Sequence, residues 1–332
     1  MIQGDERILV IGHRSPIGAA LLRRLVRLGH PRNRLLTRSF SDAGQAAESS
    51  LSEFLIAQKP DLVCLVDSNA CSPGNCACTT EAELESQQIT PREIMQIARD
   101  AGVEKLIHIA TAAIHSGCEL VGFSSSDIYS CCSCRQCRDR ENEALQTCAS
   151  FSQSGLDYRS LQTCEPYGPL WPLPTTAYLG RVAKLIEQLL QQFRSAELSK
   201  LDSITIKANA ADRVELMFTD DIADAIVHIM DLPRSALESD AQSPASPLQL
   251  GADREVELSE LIHAVALASG FHGRVVIEPA PSAFGRNPLT SRGLAQLGWR
   301  PLIELDTGLE LTAMDFRLRQ IATRGAKHAV VI

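Results

Sequence analysis

The residues best equipped for chemistry in this chain are cysteines, and their spacing is uneven. Four of the eleven fall between Cys131 and Cys137, inside Tyr129-Ser-Cys-Cys-Ser-Cys-Arg-Gln-Cys-Arg-Asp-Arg140. Three more, Cys71, Cys76 and Cys78, crowd an earlier polar loop. Thiolates are soft ligands. Cys71, Cys76, Cys78, Cys131, Cys132, Cys134 and Cys137, converging from two loops, would suit Zn²⁺ or an iron–sulfur cluster. Neither run has a recognised ligand spacing, although Cys134-x-x-Cys137 is a fragment of one. Two other readings stand beside this one: surface loops that simply tolerate cysteine, and a redox-active thiol pair.

A second constellation lies near the start. Arg7-Ile-Leu-Val-Ile11 is a short branched apolar run, Gly12 ends it, and Ile17 to Leu28 continues with helical spacing. Strand, glycine turn and helix together give a dinucleotide fingerprint its context. The spacing is Gly12-x-x-Ser15-x-x-Gly18. Gly12 allows the tight turn and Gly18 the close approach of helix to strand. Ser15 places a Cβ where a pyrophosphate would meet the backbone at the helix N-terminus, so the loop is usable but compromised. The bland reading is a structural strand-to-helix turn. The next strand, Asn33–Arg38, ends on Arg38 where a ribose-binding acid would stand for NAD. With Arg14 in the loop, two guanidiniums favour a 2′-phosphate and therefore NADP, unless both are solvated surface arginines. His13, Ile17, Val66 and Asp67 complete the candidate cofactor set.

These groups need a scaffold, and the pattern supplies one. Asp61–Val66 reads as a buried strand, 90–101 as a helix with Pro91 at its start and Gly102 past its end, and Lys105–Ile114 as a further buried strand, counted as the fifth. This alternation predicts an α/β fold with a doubly wound parallel sheet. Helices are also expected over Ser52–Gln58, Leu179–Phe193 and Asp220–Met230, with a polar linker over Ser235–Pro247. The chain has 332 residues, 45% of them apolar and 22% charged, enough for a large core. A net charge of −8 argues against nucleic acid or anionic membrane as a partner. The polar, acidic start and the shortness of the first apolar run argue against a secretory signal or a membrane span, so a cytoplasmic protein is expected.

Several separated stretches, in order, resemble the extended short-chain dehydrogenase/reductases, in the branch typified by GDP-L-fucose synthase. They are Ile11-Gly-His-Arg-Ser-Pro-Ile-Gly18, Asp157-Tyr-Arg-Ser160 with Tyr167-Gly-Pro169, Phe218-Thr-Asp-Asp-Ile222, Phe271-His-Gly-Arg-Val-Val276, Gln296-Leu-Gly-Trp299 and Asp306-Thr-Gly-Leu309. The resemblance implies a Rossmann-type sheet over 1–165, with 217–250 returning to it, and a smaller C-terminal α/β substrate domain from 166–216 and 251–332. It also implies NADP, a small-molecule substrate of the nucleotide-sugar class, and a homodimer.

The family's catalytic groups do not carry over. Its Ser or Thr falls on Thr111, which keeps a hydroxyl. Its Tyr-x-x-x-Lys pair falls on Gln136 and Arg140, and its epimerisation groups fall on Ala113 and near Ala177. No Tyr-x-x-x-Lys occurs anywhere in 110–160. A primary amide is not a general acid near neutral pH, and arginine keeps its charge without cycling its proton. For the substrate, Arg213 and Arg286 fall at or near the family's arginines and Lys184 is a further candidate. Asn287 replaces a lysine, and Glu165 stands where an Asn is expected, where a carboxylate repels a sugar nucleotide unless paired. Two readings follow: a repurposed or catalytically silent NADP-binding scaffold with a cysteine-lined site, or an active nucleotide-sugar epimerase/reductase whose acid is Tyr129 or a cysteine.

Overall fold

The computed structural model describes residues 5–38, 47–67, 91–111, 155–170, 180–238, 247–282, 289 and 291–329. The first half alternates as the pattern requires: β1 (Ile8–Ile11), α1 (Pro16–Arg27), β2 (Leu35–Arg38), α2 (Ala47–Gln58), β3 (Leu62–Asp67), α3 (Pro91–Asp100), β4 (Lys105–Thr111) and β5 (Asp157–Thr163). The remaining elements are β6 (Glu165–Tyr167), α4 (Arg181–Leu198), β7 (Ser203–Ala208), β8 (Arg213–Val214), β9 (Leu216–Phe218), α5 (Thr219–Asp231), α6 (Arg234–Glu238), β10 (Leu248–Leu250), β11 (Val256–Glu257), α7 (Leu258–Ser269), β12 (Arg274–Pro279), α8 (Arg292–Gln296) and α9 (Leu305–Ala329).

Six strands form one sheet in the order β10-β5-β4-β3-β1-β2, and every pairing in it is parallel. A parallel sheet must be covered on both faces, which is why its strands are apolar without alternation. Ile8, Leu9 and Val10 are all fully buried. On one face Ile8, Val10, Ile107 and Ile109 pack with α1 and α5; on the other Leu9, Ile11, Val63 and Leu106 pack with α2 and α3. The chain turns from β1 outward to β2 and then back past β1 to β3. The topological switch therefore falls at the carboxyl ends of β1 and β3, where such sheets bind ligands.

Expected elements are met with shifts at their ends. The strand expected from Asn33 begins at Leu35, because Arg32–Arg34 make a 3-10 turn. The strand counted as the fifth is the fourth among the described residues, and 112–114 lie outside them. The linker expected over Ser235–Pro247 begins inside the short helix α6. A third apolar cluster gathers Val182, Leu189 and Phe193 of α4, Leu261 and Val265 of α7, and Leu309 and Phe316 of α9. Phe193 and Phe271 stack there at 5.4 Å. Beside it lie the small strand pairs β7–β12, β8–β11 and β6–β9. Among the described residues no helix is long and apolar enough to cross a membrane.

Two cations on the sheet's amino-end edge fix α5. Helix C-termini leave carbonyls unpaired and carry partial negative charge. Lys105 Nζ donates to Met230 O at 3.1 Å, and Arg159 Nη1 donates to Ile229 O. Arg159, 3% exposed, is itself held by two bonds to Asp157, at 3.0 and 2.7 Å. The opposite end of α5 therefore points toward the carboxyl rim.

Candidate functional site at the carboxyl rim

Gly12 leaves β1 at φ +86°, a conformation that a side chain strains. Its N–H donates to Arg38 O at 3.0 Å, and His13 Nδ1 lies 2.8 Å from the same carbonyl. The glycine loop is thus tied twice to the end of β2. A Cβ on Gly18 would overlap Gly12 O and reach within 2.8 Å of His13 Cα, so helix and loop meet at a distance only glycine permits.

Ser15 has a structural part in the loop that its spacing alone does not give. Its φ of −86° is extended backbone, which any residue adopts, and it is 3% exposed. Its Oγ accepts from Gly18 N at 3.1 Å and donates to Gly12 O at 2.8 Å. With Pro16 at the first helical position, this is an N-cap followed by a residue that needs no N–H partner. Ser15 and Ala19 N–H groups are also committed within the turn. Among the described residues, Ile17 N–H is what the first turn retains for an anion, with the exposed Arg14 beside it.

Arg38 is held rather than loose. Its guanidinium lies 4.3 Å above the ring of Phe54 on α2, an attraction between a cation and the ring's negative face. Sequence reading missed Phe54, because nothing in helical spacing says which residue of α2 will face the end of β2. Further along the rim, Val66 is fully buried and Asp67 ends β3. Val66 pairs with Ile109 and Asp67 with Ala110, while Thr111 ends β4 opposite Thr163. Parallel neighbours put the Gly12 turn, Asp67 and Thr111 on one edge.

Tyr129, Gln136, Arg140, Arg286 and the seven clustered cysteines lie outside the described residues. The described cysteines, Cys64 and Cys164, are buried, and burial pushes both thiols up, away from thiolate chemistry. Among the described residues no group of three or more His, Cys, Asp or Glu side chains could hold a metal.

The substrate candidates are scattered over the second half. Glu165 is 4% exposed, and a Cβ on Gly180 would come within 2.7 Å of its Oε2. Its carboxylate thus sits at the N-terminus of α4, where the helix dipole favours a negative charge. Lys184 is exposed on the first turn of that helix. Arg213 is bonded to Glu257 at 2.8 Å, across the β8–β11 pair. Glu215, which the sequence did not single out, is 6% exposed and accepts from Ala252 N and Leu289 N, each at 2.7 Å. The following Tyr167-Gly168-Pro169 turn is pinned by Tyr167 against Phe218, edge to face at 5.6 Å, and by Leu170 N donating to Asp315 at 2.9 Å.

Comparison with known proteins decides the family. Residues 8–241 match the NAD dependent epimerase/dehydratase family. The chain belongs to that family. Within it, this protein is similar to the GDP-L-fucose synthase of Escherichia coli (strain K12), at 25% identity over 96% of this chain and 99% of that protein. It is similar also to GDP-L-fucose synthase 1 of Arabidopsis thaliana, at 23% identity over 98% and 97%. Its fold matches the Campylobacter jejuni GDP-D-glycero-L-gluco-heptose synthase solved with NADPH, with TM-score 0.72 and 17% identity over 96% of this chain and 100% of that one. It also matches the Naegleria fowleri GDP-L-fucose synthetase bound to NADP, with TM-score 0.69 and 12% identity over 96% and 95%.

Proposed function

We propose that this family member binds NADP(H) across the carboxyl ends of β1 and β3 and takes a nucleotide sugar, while lacking the proton-transfer pair that extended short-chain dehydrogenase/reductases use. The observation that carries the cofactor reading is the seating of Arg38. It is a guanidinium stacked on Phe54 at the end of β2, beside the Gly12 turn. The Gly12–Gly18 contact, which a Cβ would overlap, fits the tight packing of helix against loop in a dinucleotide-binding turn. Ile17 N–H and Arg14 would hold the diphosphate, and Arg38 with Arg14 the 2′-phosphate. NADP supplies hydride exchange at a sugar carbon. The NADPH and NADP in the two Campylobacter and Naegleria proteins support this choice.

The chemistry that these residues can complete is limited. Thr111 offers a hydroxyl at the end of β4, but Gln136 and Arg140 cannot pass a proton to a sugar oxygen. Loss of one positioned acid–base group costs ~10²–10⁴ in rate. Titration with NADPH and NADH, followed by a turnover assay on GDP-4-keto-6-deoxymannose, tests the reading. NADPH binding without turnover supports a repurposed scaffold; turnover overturns it. Arg38→Ala is expected to weaken NADPH roughly 10–100-fold, the worth of one charge-assisted phosphate contact, and to leave NADH nearly unchanged. The retained Thr111 favours the second reading, an active epimerase or reductase with Tyr129 or a cysteine as acid, in which Tyr129→Phe would abolish turnover.

Three further parts of the reading rest on sequence or resemblance. The seven clustered cysteines form a Zn²⁺ or iron–sulfur site on the same rim, tested by metal and sulfide analysis after anaerobic purification. The protein is a cytoplasmic homodimer paired as the family pairs. Residues 1–165 and 217–250 carry the cofactor, and 166–216 and 251–332 the sugar. The separate apolar clusters support that division, except that Ala252, Leu289, Leu294 and Trp299 pack into the cofactor half and Phe218 into the other.

A further inference from the structure

Helix α9 is apolar on two opposite faces. Leu309, Ala313 and Phe316 enter the core with α4 and α7. On the far side Leu311, Met314, Leu318 and Ile321 are 42, 57, 56 and 68% exposed. Single exposed apolar residues are ordinary. These four are not scattered: their spacing of three, four and three residues is the a/d repeat of a coiled-coil seam, with Leu311 and Leu318 at a and Met314 and Ile321 at d. A helix whose outer face repeats in this way has a second surface to bury.

The flanking charges select the occupant. Position g holds Glu310 and then Arg317, both exposed, and position e holds Asp315 and then Ala322. Asp315 is buried and bonded to Arg319 at 2.8 Å and to Leu170 N. Arg317 spends part of its guanidinium on Ala268 O at 2.9 Å. In a parallel pair of such helices, g faces e of the other chain, which sets Glu310 against Asp315. In an antiparallel pair, g faces g. A two-fold axis between Leu311 and Met314 then sets Leu311 on Met314 and Glu310 on Arg317, twice each by symmetry, with Leu318 and Ile321 extending the apolar strip at either end. One helix supplies both members of every contact.

We infer that the outer face of α9 is a self-association surface, on which a second copy of this chain docks its own α9 antiparallel. Such an interface is isologous, the commonest kind in homo-oligomers. The exposed stripe covers a few hundred Å². That is below the ~800 Å² per partner of a standard interface, so association through it is concentration-dependent. It uses a surface apart from the cofactor rim and does not depend on NADP binding. It can stand alone or join two dimers formed through the helices the family uses.

Sedimentation velocity of the full chain across the micromolar range tests this. Leu311→Glu with Leu318→Glu places four carboxylates along the seam and is expected to halve the mass of the associated species, raising its Kd about 30-fold or more. Thermal unfolding must stay near that of the unaltered chain for the result to count. A charge exchange avoids the apolar positions altogether. Glu310→Arg and Arg317→Glu are each expected to weaken association and the double variant to restore it. Unchanged mass in the Leu variant, or a double variant no better than either single one, overturns the proposal. The first outcome means that the face is bare or meets another partner, and the second that the copies do not meet antiparallel.

Discussion

At the residue scale, protonation of His108 limits stability in acid. It lies on β4, 1% exposed, with Nδ1 3.2 Å from Tyr158 Oη and no partner for Nε2 among the described residues. Burial disfavours its charged form and lowers its pKa from 6.5 to about 4. The unfolded chain therefore takes up the proton first as pH falls. The stabilising contribution is complete above pH 6.5 and is lost as pH drops from there through about 4, in total roughly 3 kcal/mol. Denaturant titrations at several pH values should show this slope in the natural protein and lose most of it in His108→Gln. An equal slope in both would assign acid sensitivity elsewhere. Ser15 teaches a related lesson. It stands where the family has a glycine, and it caps α1 through its Oγ, which accepts from Gly18 N and donates to Gly12 O.

At the scale of elements, α5 shows how the rim is aimed. Its C-terminus is capped by cations from the starts of two strands, and its N-terminal Asp221 accepts from Leu302 N and Ile303 N at 3.2 and 2.9 Å. Both ends are therefore tied to structure distant in sequence. Arg159→Met would leave Asp157 and Ile229 O without their shared partner and is expected to cost about 3 kcal/mol in urea unfolding. Lys105→Met, at a more open site, should cost about 1 kcal/mol or less. Equal losses would show that burial of the ion pair is not what matters. The apolar periodicity of α5 is plain in the sequence; the identity of its caps is not.

For the molecule as a whole, Glu215 joins segments from three parts of the chain. It sits between β8 and β9 and receives the N–H groups of Ala252 and Leu289, while a Cβ on Gly251 would crowd its Oε1 at 2.7 Å. Burial pushes its carboxyl up, against the two N–H donors that favour the charged form. Glu215→Ala would strand two N–H groups and is expected to cost about 2–4 kcal/mol. Amide hydrogen exchange should then quicken first at Ala252 and Leu289, and quickening spread evenly through the sheet would argue against a local clamp. Glu215→Gln keeps an acceptor oxygen and should lose less.

The amino-acid sequence determined the alternation of strands and helices, the glycine turn, the family, and the absence of Tyr-x-x-x-Lys, because each is a local pattern or a simple count. It also suggested Arg38 as the residue that meets a phosphate. Only the tertiary structure decided that Arg38 is braced by Phe54, that Ser15 caps α1, that Arg213 already has Glu257, and that Glu215 holds two remote segments. It alone showed which face of α9 looks outward. Apart from the Ser15 cap, whose bonds span three residues, those facts depend on which side chains meet across long stretches of chain, and spacing along one element carries no information about its neighbours. The apolar pattern of α9 fits either burial or display; packing against α4 and α7 on one side assigns the other to solvent.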